Sequence, residues 1–286
     1  MQIQMLKMKP SATHRSKTLS VSSLDKYMND TAFVKQVLTH YKKYGRHDLP
    51  WRKNPSAYRV LVSELMLQQT QVARVIPKFR LWMKQYPTLS ALRSASLRDV
   101  LLLWEGLGYQ RRAKALHEIA KEMLSVPRTF ELLNELPGVG PYTASAVVSF
   151  AYDEFGHPLL ETNIRTALIE YFYKNKSAIP DELLYTKLRV LEQDKAVQRV
   201  GARAWYSALM DYGAHLKSQH ISHNAKTKNY RTQSVYKGSL RELRAKILFA
   251  ITHKEALPTD ERRENVVSAL VKEKFITKRG RGYVVS

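Results

Sequence analysis

Glu64 stands where an isolated carboxylate is costly. Val60, Leu61, Val62, Leu65, Met66, Leu67, Val72, Val75 and Ile76 surround it. The spacing predicts a helix over 58–75, apolar around most of its circumference and therefore buried. Glu64, Gln68 and Gln71 lie four and three residues apart, on one stripe of that helix. A carboxyl group buried there loses hydration and its pKa rises, which is what a general acid near neutral pH requires. A buried Glu held by a structural hydrogen bond or an arginine partner fits the same residues, and both readings stay open here.

A second constellation is Leu136-Pro137-Gly138-Val139-Gly140-Pro141-Tyr142-Thr143-Ala144. Two glycines permit a tight hairpin whose backbone amides point outward at the start of the next helix, a neutral site suited to one phosphate oxygen. This is the helix-hairpin-helix signature, with a plain αα-hairpin turn as the alternative. The third, Leu160-Glu161-Thr162-Asn163-Ile164-Arg165-Thr166-Ala167, reads as a helix start. Thr162 is the predicted cap, with Glu161 just before it, and simple capping is the favoured reading from these residues.

The elements that must position these groups are helices. Apolar residues recur at helical spacing from Asp30 onward, then over 77–86, 97–104, 111–124 and 129–135, with Pro, Gly or Ser at the breaks. The body is predicted all-α. The expected division is a flexible basic tail over 1–27, a helical lobe from 28–50 plus 155–216, and a six-helix lobe over 51–154 carrying the hairpin. A basic linker or loop over 217–238 and an extension over 239–286 follow. In that extension two short strands around a basic Gly turn, Lys278-Arg279-Gly280-Arg281-Gly282, suggest a winged-helix-like element, with an ordinary stabilising helix pair as the alternative.

Lys and Arg outnumber Asp and Glu by 47 to 25, a net charge of +22. A field of that sign attracts polyanions, DNA foremost, although solubility or a membrane surface would also use it. There is no cysteine. That excludes disulfides, thiolate zinc sites, cysteine-ligated iron–sulfur clusters and a cysteine nucleophile from this sequence. His220, His223 and Asn224 have poor spacing for a closed zinc site. The apolar run over 100–104 is far too short to span a bilayer, and the basic N-terminal residues lack the pattern of a secretory signal. An intracellular monomer, in the cytoplasm or nucleoid, is expected.

Taken together these residues resemble the MutY-type adenine DNA glycosylases and their endonuclease III-like relatives. The resemblance runs from about Leu49 to Gly213. It rests on Leu49-Pro50-Trp51-Arg52, on 63–72, on Trp104-Glu105-Gly106-Leu107-Gly108-Tyr109, on the 136–144 hairpin and on Ala208-Leu209-Met210-Asp211-Tyr212-Gly213. It implies a two-lobed all-α helix-hairpin-helix fold with the active site between the lobes, acting on double-stranded DNA that carries a mismatch or damaged base. By that resemblance Glu64 protonates the departing base and assists water. Tyr142 occupies the position where bifunctional relatives carry a Schiff-base Lys, which points to hydrolysis without strong strand cleavage. Asn163 matches an active-site Asn. Gln69, Tyr109 and Leu107 match residues that enter the stack and contact the opposing base. Gln68, Thr70, Arg52, Gly138, Val139, Gly140 and Thr143 join the expected DNA-binding set, with a monovalent cation at the 136–140 hairpin.

The departures are as informative. The family's catalytic Asp aligns with Glu161, one methylene longer. The four cluster-ligating cysteines are absent, Lys217 stands where the first would be, and no cofactor is expected. The C-terminal domain that checks for 8-oxoguanine is replaced by the short extension. Adenine is the first choice of base, with thymine or uracil opposite guanine as runner-up. A non-catalytic binder of damaged DNA and an abasic-site lyase using another lysine are the remaining alternatives.

Overall fold

Residues 21–227 and 235–286 are described by a computed structural model. Of the expected 1–27 tail, residues 1–20 lie outside the described residues, while 21–27 already belong to the first helix. Of the expected 217–238 linker, 217 and 218 end a helix and 228–234 lie outside the described residues.

Fourteen α-helices and one two-stranded sheet are formed among the described residues. They run α1 (Val21–Tyr44), α2 (Pro50–Lys53), α3 (Ala57–Leu67), α4 (Val72–Gln85), α5 (Leu89–Arg93), α6 (Leu97–Trp104), α7 (Arg111–Glu122), α8 (Phe130–Asn134), α9 (Pro141–Ala151), α10 (Thr162–Phe172), α11 (Asp181–Glu192), α12 (Lys195–Ser218), α13 (Leu240–His253) and α14 (Arg263–Lys272). The strands β1 (Ile276–Arg279) and β2 (Gly282–Val285) pair antiparallel, Arg279 opposite Gly282, across a turn in which Gly280 takes a left-handed φ of 59°.

Two cores organise the chain. The first gathers the buried faces of α2–α7 around Trp51, Phe79, Trp82 and Trp104. The second gathers α1, α10, α11 and α12 around Phe33, Leu168, Trp205 and Tyr206. Each fully buried large side chain contributes about 1.5–3 kcal/mol. Helix α9 belongs to both, sending Ala144, Val147 and Val148 into the first core and Ala146 into the second. The helix that follows the glycine hairpin is therefore the axle between the two bodies.

Two helix boundaries differ from the sequence expectation. The helix expected over 58–75 ends at Leu67, and Gln69 takes a left-handed φ of 56° before α4 starts at Val72. Conversely Pro77, expected to open a helix, lies inside α4. Burial of Val75, Phe79 and Trp82 on one face of α4 carries the helix through the lost backbone donor.

The extension is built onto the first core. Leu243, Ile247, Leu248 and Ile251 of α13, with Val266, Val267 and Leu270 of α14 and Phe275 and Ile276, pack into it. Glu273 accepts from both Arg111 and Arg244, and His253 meets Glu105 at 2.6 Å, so α13 and α14 are tied to α7 and to the loop after α6.

Candidate active site

Between the two bodies lies a cavity of about 850 Å³ whose walls include Glu64, Arg52, Gln68, Gln69, Thr70, Tyr142, Glu161 and Asn163. Eight residues expected in the site from sequence, spread over 112 positions of chain, thus meet in one space.

Glu64 is only 6% exposed. Helix α3 packs against α9, α4 and α7, so its carboxyl group has little water to solvate it. Burial pushes its pKa up to about 7 from 4.5, against the hydrogen bond donated by Tyr142; Glu161 adds to the rise and Arg52 opposes it. Arg52 opposes it weakly because its charge is already engaged. Its Nη1 and Nη2 donate to the two carboxylate oxygens of Asp211 at 2.7 and 3.1 Å, beside Arg46, whose Nε donates at 2.6 Å. Burial would raise the Asp211 pKa, but these arginines outweigh it and hold the carboxyl below its ordinary range. Arg52, one of the expected DNA-binding residues, lines the cavity wall with its charge held by Asp211. The arginine that would quench Glu64 is held by another acid.

Tyr142, the second residue of α9, reaches Glu64 from the hairpin side. Burial and the neighbouring Glu64 and Glu161 raise its pKa well above 10, so the phenol stays a neutral donor.

Glu161, rather than Thr162, caps α10. Its Oε1 accepts the amides of Asn163 and Ile164, both at 2.8 Å, and its Oε2 accepts Asn163 Nδ2 at 3.1 Å and Thr162 Oγ1 at 3.2 Å. The extra methylene lets the side chain fold back over its own helix start, where the dipole favours an anion. One residue thereby fixes a negative charge in the cavity and aims Asn163.

Asn163 is placed by a contact that sequence reading did not single out. A β-carbon on Gly213 would come within 2.0 Å of the Asn163 carbonyl oxygen, so α12 crosses α10 at a distance only glycine allows. The signal was a glycine at the end of the Ala208–Gly213 motif, inside an otherwise helical stretch.

The turn over 68–71 and the loop over 105–110 are pinned together by Arg112, buried on α7. Its Nη1 donates to the carbonyls of Leu65, Met66 and Gln68 at 2.6, 3.1 and 2.5 Å, and its Nη2 to those of Leu107 and Gly108, both at 2.9 Å. Burial lowers its pKa to about 10, and the carbonyl dipoles stand in for a counter-ion. Arg112→Met should leave several carbonyls unsatisfied and cost about 3 kcal/mol. Faster amide exchange confined to 65–71 and 105–110 would register it, and Arg112→Lys should not rescue because one ammonium cannot span both loops.

Several of the expected DNA-binding residues also hold the site together. Thr143 is buried and accepts from Gln68 Nε2 at 3.2 Å, binding α3 to α9. Thr70 braces the two loops by donating to the Leu107 carbonyl at 3.2 Å. Leu107 and Val139 are buried in the first core, and the Val139 amide donates to Leu136 O at 3.1 Å. Their apolar side chains gain more from the core than from solvent. Gly138 and Gly140 are exposed at the hairpin, and Gly138 is required twice over, by its left-handed φ of +73° and because a β-carbon there would lie 2.8 Å from that of Ala115. Tyr109 is 37% exposed on the loop beyond Gln69.

The cluster that the resemblance brings to mind does not fit this chain. The sequence has no thiolate, and no group of three or more His, Asp or Glu is placed to hold a metal among the described residues. Protein contacts fasten the same region. Lys217 Nζ donates to Thr162 Oγ1 at 2.9 Å, His223 pairs with Glu170, and Ile179 bridges Thr227 in parallel.

With this geometry in hand, the comparisons are specific. The family profile described as HhH-GPD superfamily base excision DNA repair protein matches residues 62–234. The chain belongs to that superfamily. Among curated relatives it is similar to the adenine DNA glycosylase of Buchnera aphidicola subsp. Acyrthosiphon pisum, 36% identical over 193 residues, 65% of this chain and 54% of the relative. It is also similar to that of Mycolicibacterium smegmatis, 47% identical over 134 residues, 45% of each chain. The rat enzyme is 49% identical over 138 residues, 43% of this chain and 27% of its own. The chain thus spans about half the length, or less, of the curated relatives it matches. In fold it resembles a thermostable thymine-DNA glycosylase, with TM-score 0.59 and 23% identity over 70% of this chain and 93% of that one. It also resembles endonuclease III in a trapped covalent DNA intermediate, with TM-score 0.51 and 16% identity over 76% of this chain and 93% of that one. No helix among the described residues is long and apolar enough to cross a membrane.

Proposed function

We propose that the chain is a monofunctional DNA glycosylase of base excision repair that hydrolyses the N-glycosidic bond of a flipped base, adenine first. The observation that carries this is the buried Glu64 carboxyl, with a pKa of about 7, facing a capped carboxylate in one cavity. Double-stranded DNA with a mismatch or damaged base is the partner, held by the basic surface and the exposed Gly138–Gly140 hairpin.

Glu64 enters protonated, its proton retained by burial. An extruded adenine presents a ring nitrogen that accepts it, the C1′–N bond electrons leave with the base, and positive charge develops on the sugar. Glu161 stabilises that charge across the cavity, fixed there by its own helix amides. Glu64, now ionised, takes a proton from water as its oxygen attacks C1′. Tyr142 donates to Glu64 throughout, and Asn163, held by Glu161 and backed by Gly213, orients the sugar or the water. No cofactor takes part in this scheme.

Identity with adenine enzymes over 43–65% of the chain favours adenine; the thymine-DNA glycosylase likeness concerns fold. A panel of duplexes carrying A·8-oxoguanine, A·G, G·T and G·U, developed with alkali, tests the assignment. Alkali-dependent cleavage of the adenine strand is expected, with no adduct trapped by borohydride. Intact adenine strands with cleaved G·T strands would move the activity to thymine. Every duplex intact but tightly bound would make the chain a binder.

A further inference from the structure

Helix α12 meets the start of α10 at two points one turn apart. Gly213 backs the Asn163 carbonyl, and Lys217, four residues on and so on the same stripe, reaches the neighbouring Thr162. Leu216 seats this last turn of α12 in the second core, and the Lys217 side chain lies half-buried against α10. Its Nζ donates to Thr162 Oγ1 at 2.9 Å, and Thr162 Oγ1 donates in turn to Glu161 Oε2 at 3.2 Å. An ammonium carries three donors and no acceptor, so the Thr162 oxygen must accept from it and its own proton is left to point at the carboxylate. The amides of Asn163 and Ile164, which also donate to Glu161, are fixed in the helix start. A hydroxyl turns about its C–O bond, and Lys217 is the group that sets it. Burial pulls the Lys217 pKa below its ordinary value, and the Glu161 anion opposes that fall, as a counter-ion one hydroxyl away does.

We propose that Lys217 is a positioning residue for excision: acting through the Thr162 hydroxyl, it holds Glu161, and with it Asn163, in the one arrangement that faces the flipped sugar. The proposal rests on the glycosylase reading. Thr162, Glu161 and Asn163 line the cavity that holds Glu64, and Lys217 touches that wall from α12. Without the ammonium the Thr162 proton is free to turn to water, and Oε2 keeps only the flexible Asn163 amide, at 3.1 Å, of the two side-chain donors. The carboxylate then gains rotamers that point away from C1′. Electrostatic stabilisation depends on a charge already in place when the sugar cation forms, so each added rotamer costs rate. The long side chain at the end of α12 thereby couples the second core to the chemistry.

Lys217→Met, which keeps the length and removes the charge, and Thr162→Val, which keeps the shape and removes the hydroxyl, test this in the full chain. Two readouts are needed: hydrogen exchange at the Asn163 and Ile164 amides without DNA, and single-turnover adenine excision beside duplex affinity. Each variant should speed exchange at those two amides and slow excision by about tenfold, with affinity within about twofold of wild type. Thr162→Ser, which restores the hydroxyl, should behave as wild type in both. The double variant should be no slower than either single by more than about twofold, because both break one chain. Losses that multiply in the double variant overturn the proposal. So does a Lys217→Met protein that binds DNA more weakly but excises at the wild-type rate once saturated, since Lys217 would then serve a phosphate. The expected exchange pattern in a chain that excises no base would sink the glycosylase reading and leave the held carboxylate standing.

Discussion

Glu64→Gln is expected to lower single-turnover excision by about 10³-fold while leaving duplex affinity within about threefold. Gln keeps the volume and the Tyr142 contact but carries no transferable proton, so the loss falls on chemistry rather than binding. The same substitution should raise stability above neutral pH. The sign follows from the direction of the shift. The folded state holds the Glu64 proton more tightly than the unfolded chain, so the carboxyl is harmless below pH 4.5. Stability is lost as pH rises from there to about 7, beyond which the buried anion costs roughly 3 kcal/mol. Gln never ionises. Urea melts at pH 8 should therefore show the variant more stable by up to about 3 kcal/mol, and the gap should close toward pH 4.5. A variant that is inactive but no more stable at pH 8 would show that the Glu64 anion is solvated in the native protein.

Gly213→Ala is expected to unfold more than it repairs. Replacing a helical glycine by alanine ordinarily stabilises by about 1 kcal/mol. Here the new methyl would sit 2.0 Å from the Asn163 carbonyl oxygen and 2.4 Å from its carbon, both backbone atoms that cannot rotate away. The α10–α12 crossing must open, at a cost of about 3 kcal/mol or more. That opening carries the first turn of α10 with it, and so displaces both Glu161 and Asn163. A fall in Tm of roughly 6–12 °C, with excision reduced even at temperatures where the variant remains folded, would be the signature. A raised Tm would mean that helix propensity outweighs the clash and that the crossing is looser than described.

Much of the site could be read from sequence because its signals are local. A carboxylate inside an unbroken apolar run announces Glu64, two glycines announce the hairpin, and Gly280 among basic residues announces the small sheet. What could not be read depends on partners distant in the chain. The end of α3 at Leu67 is set by Arg112, which captures three carbonyls from the end of α3 and the following turn with a side chain 44 residues downstream of Gln68. Thr162 looked like the cap because short hydroxyls usually fill that role. Glu161 takes it because its longer carboxylate reaches two amides and the Asn163 side chain at once. Arg52 sits in a matching motif, but only the fold shows Asp211, 159 residues away, holding its charge. Pro77 reads as a break by local rules, yet the buried face of α4 outweighs one missing hydrogen bond.

The central claim is that one buried carboxyl group arrives protonated at neutral pH. The direct measurement is the single-turnover rate of adenine excision between about pH 4 and pH 9, with DNA saturating at each point. A rate that holds steady below about 7 and then falls tenfold per pH unit is the expected profile, and Glu64→Gln should flatten it. A rate that stays level to pH 9, or one that already falls near pH 4.5–5 as an ordinary solvated carboxylate would dictate, contradicts the account.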